Sequence, residues 1–260
     1  AEQRIRQVFD DFSRVYVSFS GGKDSGVLLE LAAREARKRG RRLGVLIVDL
    51  EAQYKLTIDY IRAMLARHVD VVEPFWVALP LNLRNAVSHF EPQWCCWEPG
   101  RDWVRQPEPG SITDQNFFGF YWYRMEFEDF TPRFGEWYSD GEPTAGLIGI
   151  RSDESLNRYR TIASTTKTMW KGLQWTTHIR GEAYNAYPIY DWRTEDIWTF
   201  NAQQNVPYNR LYDRMWQAGL TVHQQRICQP YGDDQRRGLW LYQVIEPETW
   251  SKVVSRVSGA

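Results

Sequence analysis

Val15-Tyr-Val-Ser-Phe-Ser20-Gly21-Gly22-Lys23-Asp24-Ser25 runs directly into Gly26-Val-Leu-Leu-Glu-Leu-Ala-Ala33. Alternating apolar residues at Val15, Val17 and Phe19 predict a strand, and Val27, Leu28, Leu31 and Ala32 recur at helical spacing. Two glycines therefore sit where strand becomes helix. Glycine reaches backbone conformations closed to other residues and lets a ligand approach closely, while the first N–H groups of the new helix point outward at it. Lys23, Ser20 and Ser25 add a cation and two hydroxyls. An anionic oxygen cluster fits such a loop, although the same glycines would also serve a plain strand-to-helix turn.

The spacing excludes the commonest phosphate loop. A Walker A sequence needs Gly, four residues, then Gly-Lys-Ser/Thr; here Asp24 follows Lys23 and the earlier glycine is missing. Ser-Gly-Gly-x-Asp-Ser instead resembles the PP-loop of the ATP pyrophosphatase superfamily. That resemblance implies an adenine nucleotide alpha-hydrolase-like, Rossmann-like α/β fold: a parallel sheet with helices on both faces and an aromatic-rich insertion. It also implies that Ser18, Ser20, Gly21, Gly22, Lys23, Asp24 and Ser25 bind the nucleotide phosphates, with reaction at the α-phosphate.

Outward from the loop, Ile5, Val8, Phe9 and Phe12 predict a packing helix over residues 1 to 12, and Leu43-Gly-Val-Leu-Ile-Val-Asp49 a buried parallel strand. Asp49, Leu50 and Glu51 then emerge where open α/β sheets place ligands. The resemblance implies that Asp49 to Ala52 line the nucleoside pocket; alternatively Asp49 and Glu51 cap the next helix. That helix, from about Tyr54, carries the stripe Ile58, Ile61, Met64 and Leu65, and Val69 to Val77 reads as a third strand.

From Asn82 to Glu142 periodicity fails. Trp94, Trp97, Trp103, Phe117, Phe118, Phe120, Tyr121, Trp122 and Tyr123 crowd among glycines and prolines, which predicts an insertion or lid over 82–144 with some helix near Asp114 to Phe127. Order returns with a strand at Ala145 to Ile150. Gly149-Ile-Arg151-Ser-Asp-Glu154-Ser155-Leu-Asn-Arg158 then resembles the second signature of the phosphoadenylylsulfate reductase family, Gly-x-Arg-x-x-Glu-Ser-x-x-Arg. A helix whose first turn holds Arg151, Ser152 and Ser155 is expected, with Gly149, Arg151, Glu154 and Ser155 at the nucleotide. Arg151 and Arg158 are the candidates for α-phosphate or substrate contacts; Arg151 pairing with Asp153 or Glu154 is the structural alternative. Tyr187-Pro-Ile-Tyr-Asp191-Trp192 resembles a further stretch of that family and reads as scaffold. Thr194 is the expected cap of a helix running to Gln204, and residues 205–260 read as a C-terminal helical extension of a single 1–260 domain.

Bulk properties narrow the function. The net charge of −1 over 260 residues gives no sign of a polyanionic partner, and the six Lys/Arg between Arg34 and Arg42 read as a solvated helix end. No apolar run approaches the roughly 20 residues of a membrane span, no signal peptide is recognised, and cytoplasmic residence is expected. Cys95-Cys96 is similar to the paired cysteines of iron-sulfur adenylylsulfate reductases, but a cluster needs four thiolates and only Cys228 remains. No iron-sulfur cluster and no zinc are expected. The reductases' Glu-Cys-Gly-Ile/Leu-His is missing, and Cys228 reads as a small buried residue.

Gln229-Pro-Tyr-Gly-Asp-Asp-Gln-Arg236, with Asp49-Leu-Glu-Ala-Gln-Tyr54 and Glu246-Pro-Glu-Thr-Trp250, resembles the branch related to immunoglobulin-binding regulator A, of the DUF3440 type. The resemblance implies an ATP pyrophosphatase or adenylyl-transfer enzyme that uses Mg²⁺ with ATP, Lys23, Asp24, Arg151 and Arg158 being catalytic and Asp24 or Asp49 facing the metal. It further implies a ParB/sulfiredoxin-like protein partner and, through it, an indirect link to DNA. Two other functions stay open: sulfonucleotide reduction through a cysteine, and non-catalytic nucleotide sensing with that partner.

Overall fold

The computed structural model describes residues 1–233 and 238–260. In chain order it forms α1 (Glu2–Asp11), β1 (Arg14–Ser18), α2 (Lys23–Lys38), β2 (Leu43–Val48), α3 (Lys55–Arg67) and β3 (Val72–Val77). There follow β4 (Leu81–Arg84), β5 (Gln93–Cys96), β6 (Met125–Glu126), α4 (Phe127–Ser139), β7 (Thr144–Leu147) and α5 (Leu156–Ala163). The chain ends with β8 (Thr176–Arg180), β9 (Ala183–Ala186), α6 (Thr194–Gln203), α7 (Leu211–Gln217), α8 (Leu241–Ile245) and α9 (Pro247–Arg256). Two compact units result: Ala1–Ile47 with Ala63–Phe75 and Thr131–Tyr208, and Val48–Arg62 with Trp76–Phe130 and Asn209–Ala260.

The α/β class expected from sequence is what the chain adopts. The main sheet has the order β3-β2-β1-β7-β9-β8, with β1 parallel to β2 and β7, β7 parallel to β9, and β8 antiparallel at the edge. Val15, Tyr16 and Val17 are all buried, so β1 lies in the middle of the sheet with both faces covered. Beside it α2 buries Val27, Leu28, Leu29, Ala32 and Ala33, and α1 buries Ile5, Val8 and Phe9 as its helical spacing predicts. Gly146 is required by packing: a Cβ there would lie 2.5 Å from the Tyr16 hydroxyl oxygen.

Three local expectations need correction. The helix placed near Asp114 to Phe127 is instead α4 at Phe127–Ser139, because its buried aromatic row falls at Phe130, Phe134 and Tyr138, one helical turn apart each time. Residues 82–126 carry a small sheet of their own, ordered β5-β4-β6. The third strand begins at Val72, since Val69 is 73 % exposed in the turn that precedes it. Among the described residues no helix is long and apolar enough to cross a membrane.

The run Arg34 to Arg42 is spent on the fold. Arg37 pairs with Asp70, Arg39 with Asp10 and Glu35, and Arg34 with Glu30. Arg41 donates to the carbonyls of Phe9, Phe12 and Ser13, and Arg42 to those of Asp70 and Val72.

Candidate functional site

The first unit builds the phosphate loop. β1 ends at Ser18, Phe19 turns into the core, and Gly21 adopts φ +73°, a left-handed conformation that favours glycine. Gly22 is the extended N-cap of α2, and no side chain caps the helix. The helical ladder begins only at Gly26 N, which donates to Gly22 O at 2.9 Å, so the amides before it lie outside the intrahelical pattern. Ser20 Oγ and Ser25 Oγ lie 3.1 Å apart, and Ser25 Oγ also donates to Gly22 O at 3.1 Å. Lys23 is 7 % exposed, with Nζ 3.2 Å from Asp24 Oδ2. Positive charge, two hydroxyls and the start of a 16-residue helix thus share one turn.

Gly149 follows β7 and presses against this turn. A Cβ on it would stand 3.0 Å from Ser25 N and 3.2 Å from the Asp24 carbonyl carbon, so only glycine fits without moving backbone. Two residues on, Arg151 is 2 % exposed and bonded to the protein on all three nitrogens: Nε donates to Asp24 Oδ1 at 2.6 Å, and another nitrogen reaches Thr194 Oγ1 at 3.2 Å. The third nitrogen lies 3.4 Å from both Asp153 Oδ2 and the Trp192 carbonyl, and Glu154 Oε1 stands 3.5 Å from Nε. Of the two expectations for Arg151, the structure shows the carboxylate pairing, with Asp24 added to Asp153 and Glu154. Arg158, 39 % exposed, is the guanidinium that reaches the surface here, paired with Glu154.

The expected first turn of helix at Arg151 is also displaced. Ser155 is the N-cap, its Oγ accepting from Arg158 N, and α5 starts at Leu156; Arg151 and Ser152 lie in the preceding turn, tied by Ser152 N to Tyr190 O at 2.9 Å. Thr194 does not cap α6 either. Arg193 holds that place, its N–H donating to Asp196 at 2.7 Å, which leaves the Thr194 hydroxyl to accept from Arg151.

Asp49, Leu50 and Glu51 belong to the second unit. Asp49 and Glu51 are fully buried and point inward. Asp49 accepts from Trp76 Nε1 at 2.8 Å, from Glu51 N at 3.0 Å and from Arg105. Glu51, at φ +64°, accepts from Trp97 N at 2.7 Å, Val104 N at 3.1 Å, and bidentately from Arg256 at 2.6 and 3.0 Å. In the structure both carboxylates are internal acceptors, and their hydrogen bonds come from Trp76, Trp97, Val104, Arg105 and Arg256 and not from the first turn of α3. The roles of Arg105, Trp97 and Arg256 are not legible in the sequence, because each meets its carboxylate across 46 to 205 residues of chain.

Among the described residues no group of three or more His, Cys, Asp or Glu is placed to hold a metal ion. Mg²⁺ carried by a nucleotide needs only one or two protein carboxylates beside phosphate oxygens, and Asp24, 14 % exposed on the loop, is a carboxylate of that kind. Cys95 and Cys96 are buried; burial pushes the Cys95 thiol up to about 11 and holds the Cys96 thiol well above its ordinary value. Cys228 is exposed, contrary to the buried place expected for it. Asp234 to Arg236, part of the run quoted above, lie outside the described residues.

Comparison with known proteins agrees with this layout. Residues 131–220 match a phosphoadenosine phosphosulfate reductase domain, and 219–260 match a domain of unknown function, DUF3440. The chain is 48 % identical over 262 residues to the uncharacterized protein YbdN of Escherichia coli, covering all of this chain and 64 % of that protein. It is 24 % identical to sulfate adenylyltransferase subunit 2 of Mycolicibacterium gilvum, over 80 % of this chain and 60 % of that one. The chain thus spans under two thirds of the length of these curated relatives. The crystal structure of phosphoadenylyl-sulfate reductase from Candida auris, a phosphate complex, superposes at a TM-score of 0.41 with 13 % identity, over 82 % of this chain and 83 % of that chain. The reductase-type match begins within α4 and takes in Gly149, Arg151 and Thr194, and over that stretch the chain is similar to the phosphoadenosine phosphosulfate reductase family.

Proposed function

We propose that the Ser20–Ser25 loop grips the terminal phosphates of ATP, or of a related adenine nucleotide, and that the chain cleaves it at the α-phosphate. One observation carries the reading: a helix start without a side-chain cap, opened by Gly21 at φ +73°, with a nearly buried lysine as its first residue. A substrate or partner oxygen attacks the α-phosphorus, the bond to the bridging oxygen breaks, and pyrophosphate departs with the electron pair. Lys23 and the amides of α2 offset the charge that grows on the leaving group, in a site fixed before reaction. Arg158 is the cation for the adenylyl side, released from Glu154 as the substrate arrives. Asp24 would hold the Mg²⁺ that accompanies the nucleotide, which supplies further charge neutralisation there. The likeness to sulfate adenylyltransferase subunit 2 supports adenylyl transfer as the reaction class. Incubation with Mg²⁺-ATP and product analysis tests it: AMP plus pyrophosphate is expected, abolished by Gly22→Val with Lys23→Ala, whereas ADP plus phosphate refutes the assignment.

The exposure of Cys228 favours a second reading, sulfonucleotide reduction: its thiolate attacks the sulfur of adenylylsulfate, AMP leaves with the bridging oxygen, and an added dithiol then attacks the Cys228 sulfur, expels sulfite and is itself oxidised to the disulfide. Sulfite release from adenylylsulfate that vanishes in Cys228→Ser would establish it; release that persists removes Cys228 as the nucleophile.

A further inference from the structure

We propose that Arg151 serves the phosphate loop from behind, fixing the orientation of Asp24 instead of meeting a phosphate, and that Thr194 is a second positioning residue of the same site. The inference rests on the loop reading above and assigns Thr194, which sequence reasoning treats only as a helix cap. A guanidinium has five N–H donors in a fixed fork. Those of Arg151 are directed to Asp24, Thr194, the Trp192 carbonyl and Asp153, with Glu154 beside Nε. At 2 % exposure, with four of the five N–H donors directed to these protein acceptors, its main commitment is to the protein and not to a ligand oxygen. Its shortest bond, 2.6 Å, goes to the loop carboxylate, whose other oxygen stands 3.2 Å from Lys23 Nζ. A continuous line therefore runs Thr194 to Arg151 to Asp24 to Lys23, ending on the cation proposed to meet the nucleotide. Thr194 is itself 5 % exposed, and α6 is capped by Arg193 and Asp196 without it. Its hydroxyl is thus assigned to Arg151.

A double-mutant cycle separates the two roles of Arg151. Turnover of Mg²⁺-ATP and its affinity by calorimetry are measured for Asp24→Asn, Arg151→Gln and the pair. If Arg151 acts through Asp24, each single change lowers kcat by about tenfold or more and the pair stays within about twofold of the worse single. If Arg151 binds phosphate itself, the losses multiply and ATP affinity falls with Arg151→Gln alone, which overturns the inference. Thr194→Val provides a gentler arm should Arg151→Gln fail to fold. A drop in kcat of about threefold to tenfold is expected, with KM for ATP unchanged and the chain still folded, its melting temperature a few degrees lower for the orphaned guanidinium donor. Thr194→Ser is expected to restore the rate, and Thr194→Val to add nothing in the Asp24→Asn background. A Thr194→Val enzyme with unaltered kcat refutes its assignment. Absence of ATP binding by the unaltered chain is a different failure: it overturns the loop reading and takes this inference with it.

Discussion

Replacing Arg256 with Gln tests how the C-terminal stretch matched to DUF3440 is used. The Arg256 side chain is 4 % exposed and Glu51 is completely buried, so the pair is dry on both sides. Gln removes the two guanidinium bonds to Glu51 at 2.6 and 3.0 Å, and the 2.7 Å bond to the Cys95 carbonyl. Breaking a buried ion pair from one side costs about 3–5 kcal/mol, because a charge is left unpaired away from water. Here the amides of Trp97 and Val104 still hold the carboxylate, which argues for the lower end, about 3 kcal/mol. The orphaned Cys95 carbonyl adds about 1 kcal/mol. A total near 4 kcal/mol is a large part of the roughly 5–15 kcal/mol that holds a domain folded. It corresponds to a fall in Tm of about 8–16 °C for a chain of this size. Urea unfolding followed by fluorescence reads the loss directly, since Trp76, Trp94, Trp97 and Trp103 all belong to this unit. Glu51→Gln in the same background should recover about 2 kcal/mol, the buried charge now being gone from both sides. A loss under about 1 kcal/mol in Arg256→Gln would refute the reasoning, and the C-terminal helix would have to be held by its apolar contacts and the Tyr231 hydroxyl bond to Val253 O.

Two further expectations follow from the first unit. Gly149→Ala puts a methyl 3.0 Å from Ser25 N, and because the neighbour is backbone the start of α2 must shift. A stability loss of about 1–3 kcal/mol is expected, with turnover down by about tenfold or more; unchanged calorimetry and kinetics would show that β7 does not set the loop. Glu30, buried on α2, accepts from Arg34, Arg67 and His68 at 2.8, 3.0 and 3.0 Å. Burial pushes its pKa up, but these donors outweigh burial and hold it well below the usual carboxylate range. A depressed carboxylate contributes stability that is complete above its unfolded pKa near 4.3 and is lost as pH falls towards the folded value. Glu30→Gln should therefore cost about 3 kcal/mol at pH 7, and the gap from the unaltered chain should narrow below about pH 4. Urea denaturation at a series of pH values measures it, and a gap that widens on acidification would contradict the pairing.

What the sequence revealed and what it concealed divide by the range of the cause. The phosphate loop was legible because every ingredient is local: two glycines, a change of period from two to 3.6, and a lysine at the junction all fall within Val15 to Leu31. Helix α4 was misplaced although its signal was present, since Phe130, Phe134 and Tyr138 keep helical spacing inside a stretch so aromatic that the row does not stand out. Asp49 and Glu51 show the opposite failure. A carboxylate directly after an apolar strand reads as emerging at a ligand edge, and its local surroundings say nothing else. What turns both inward are Arg105 and Arg256, separated from their partners by 56 and 205 residues. The same holds for Arg151, whose partner Thr194 stands 43 residues on. A charged residue's partner cannot be read from the charge itself; two guanidiniums in one motif, Arg151 and Arg158, differ because one was buried among acceptors and the other left at the surface. Motif resemblance therefore locates the loop, whereas the division of labour among its cations follows from burial, and the Asp24/Arg151 cycle probes the point at which those two sources of inference disagree.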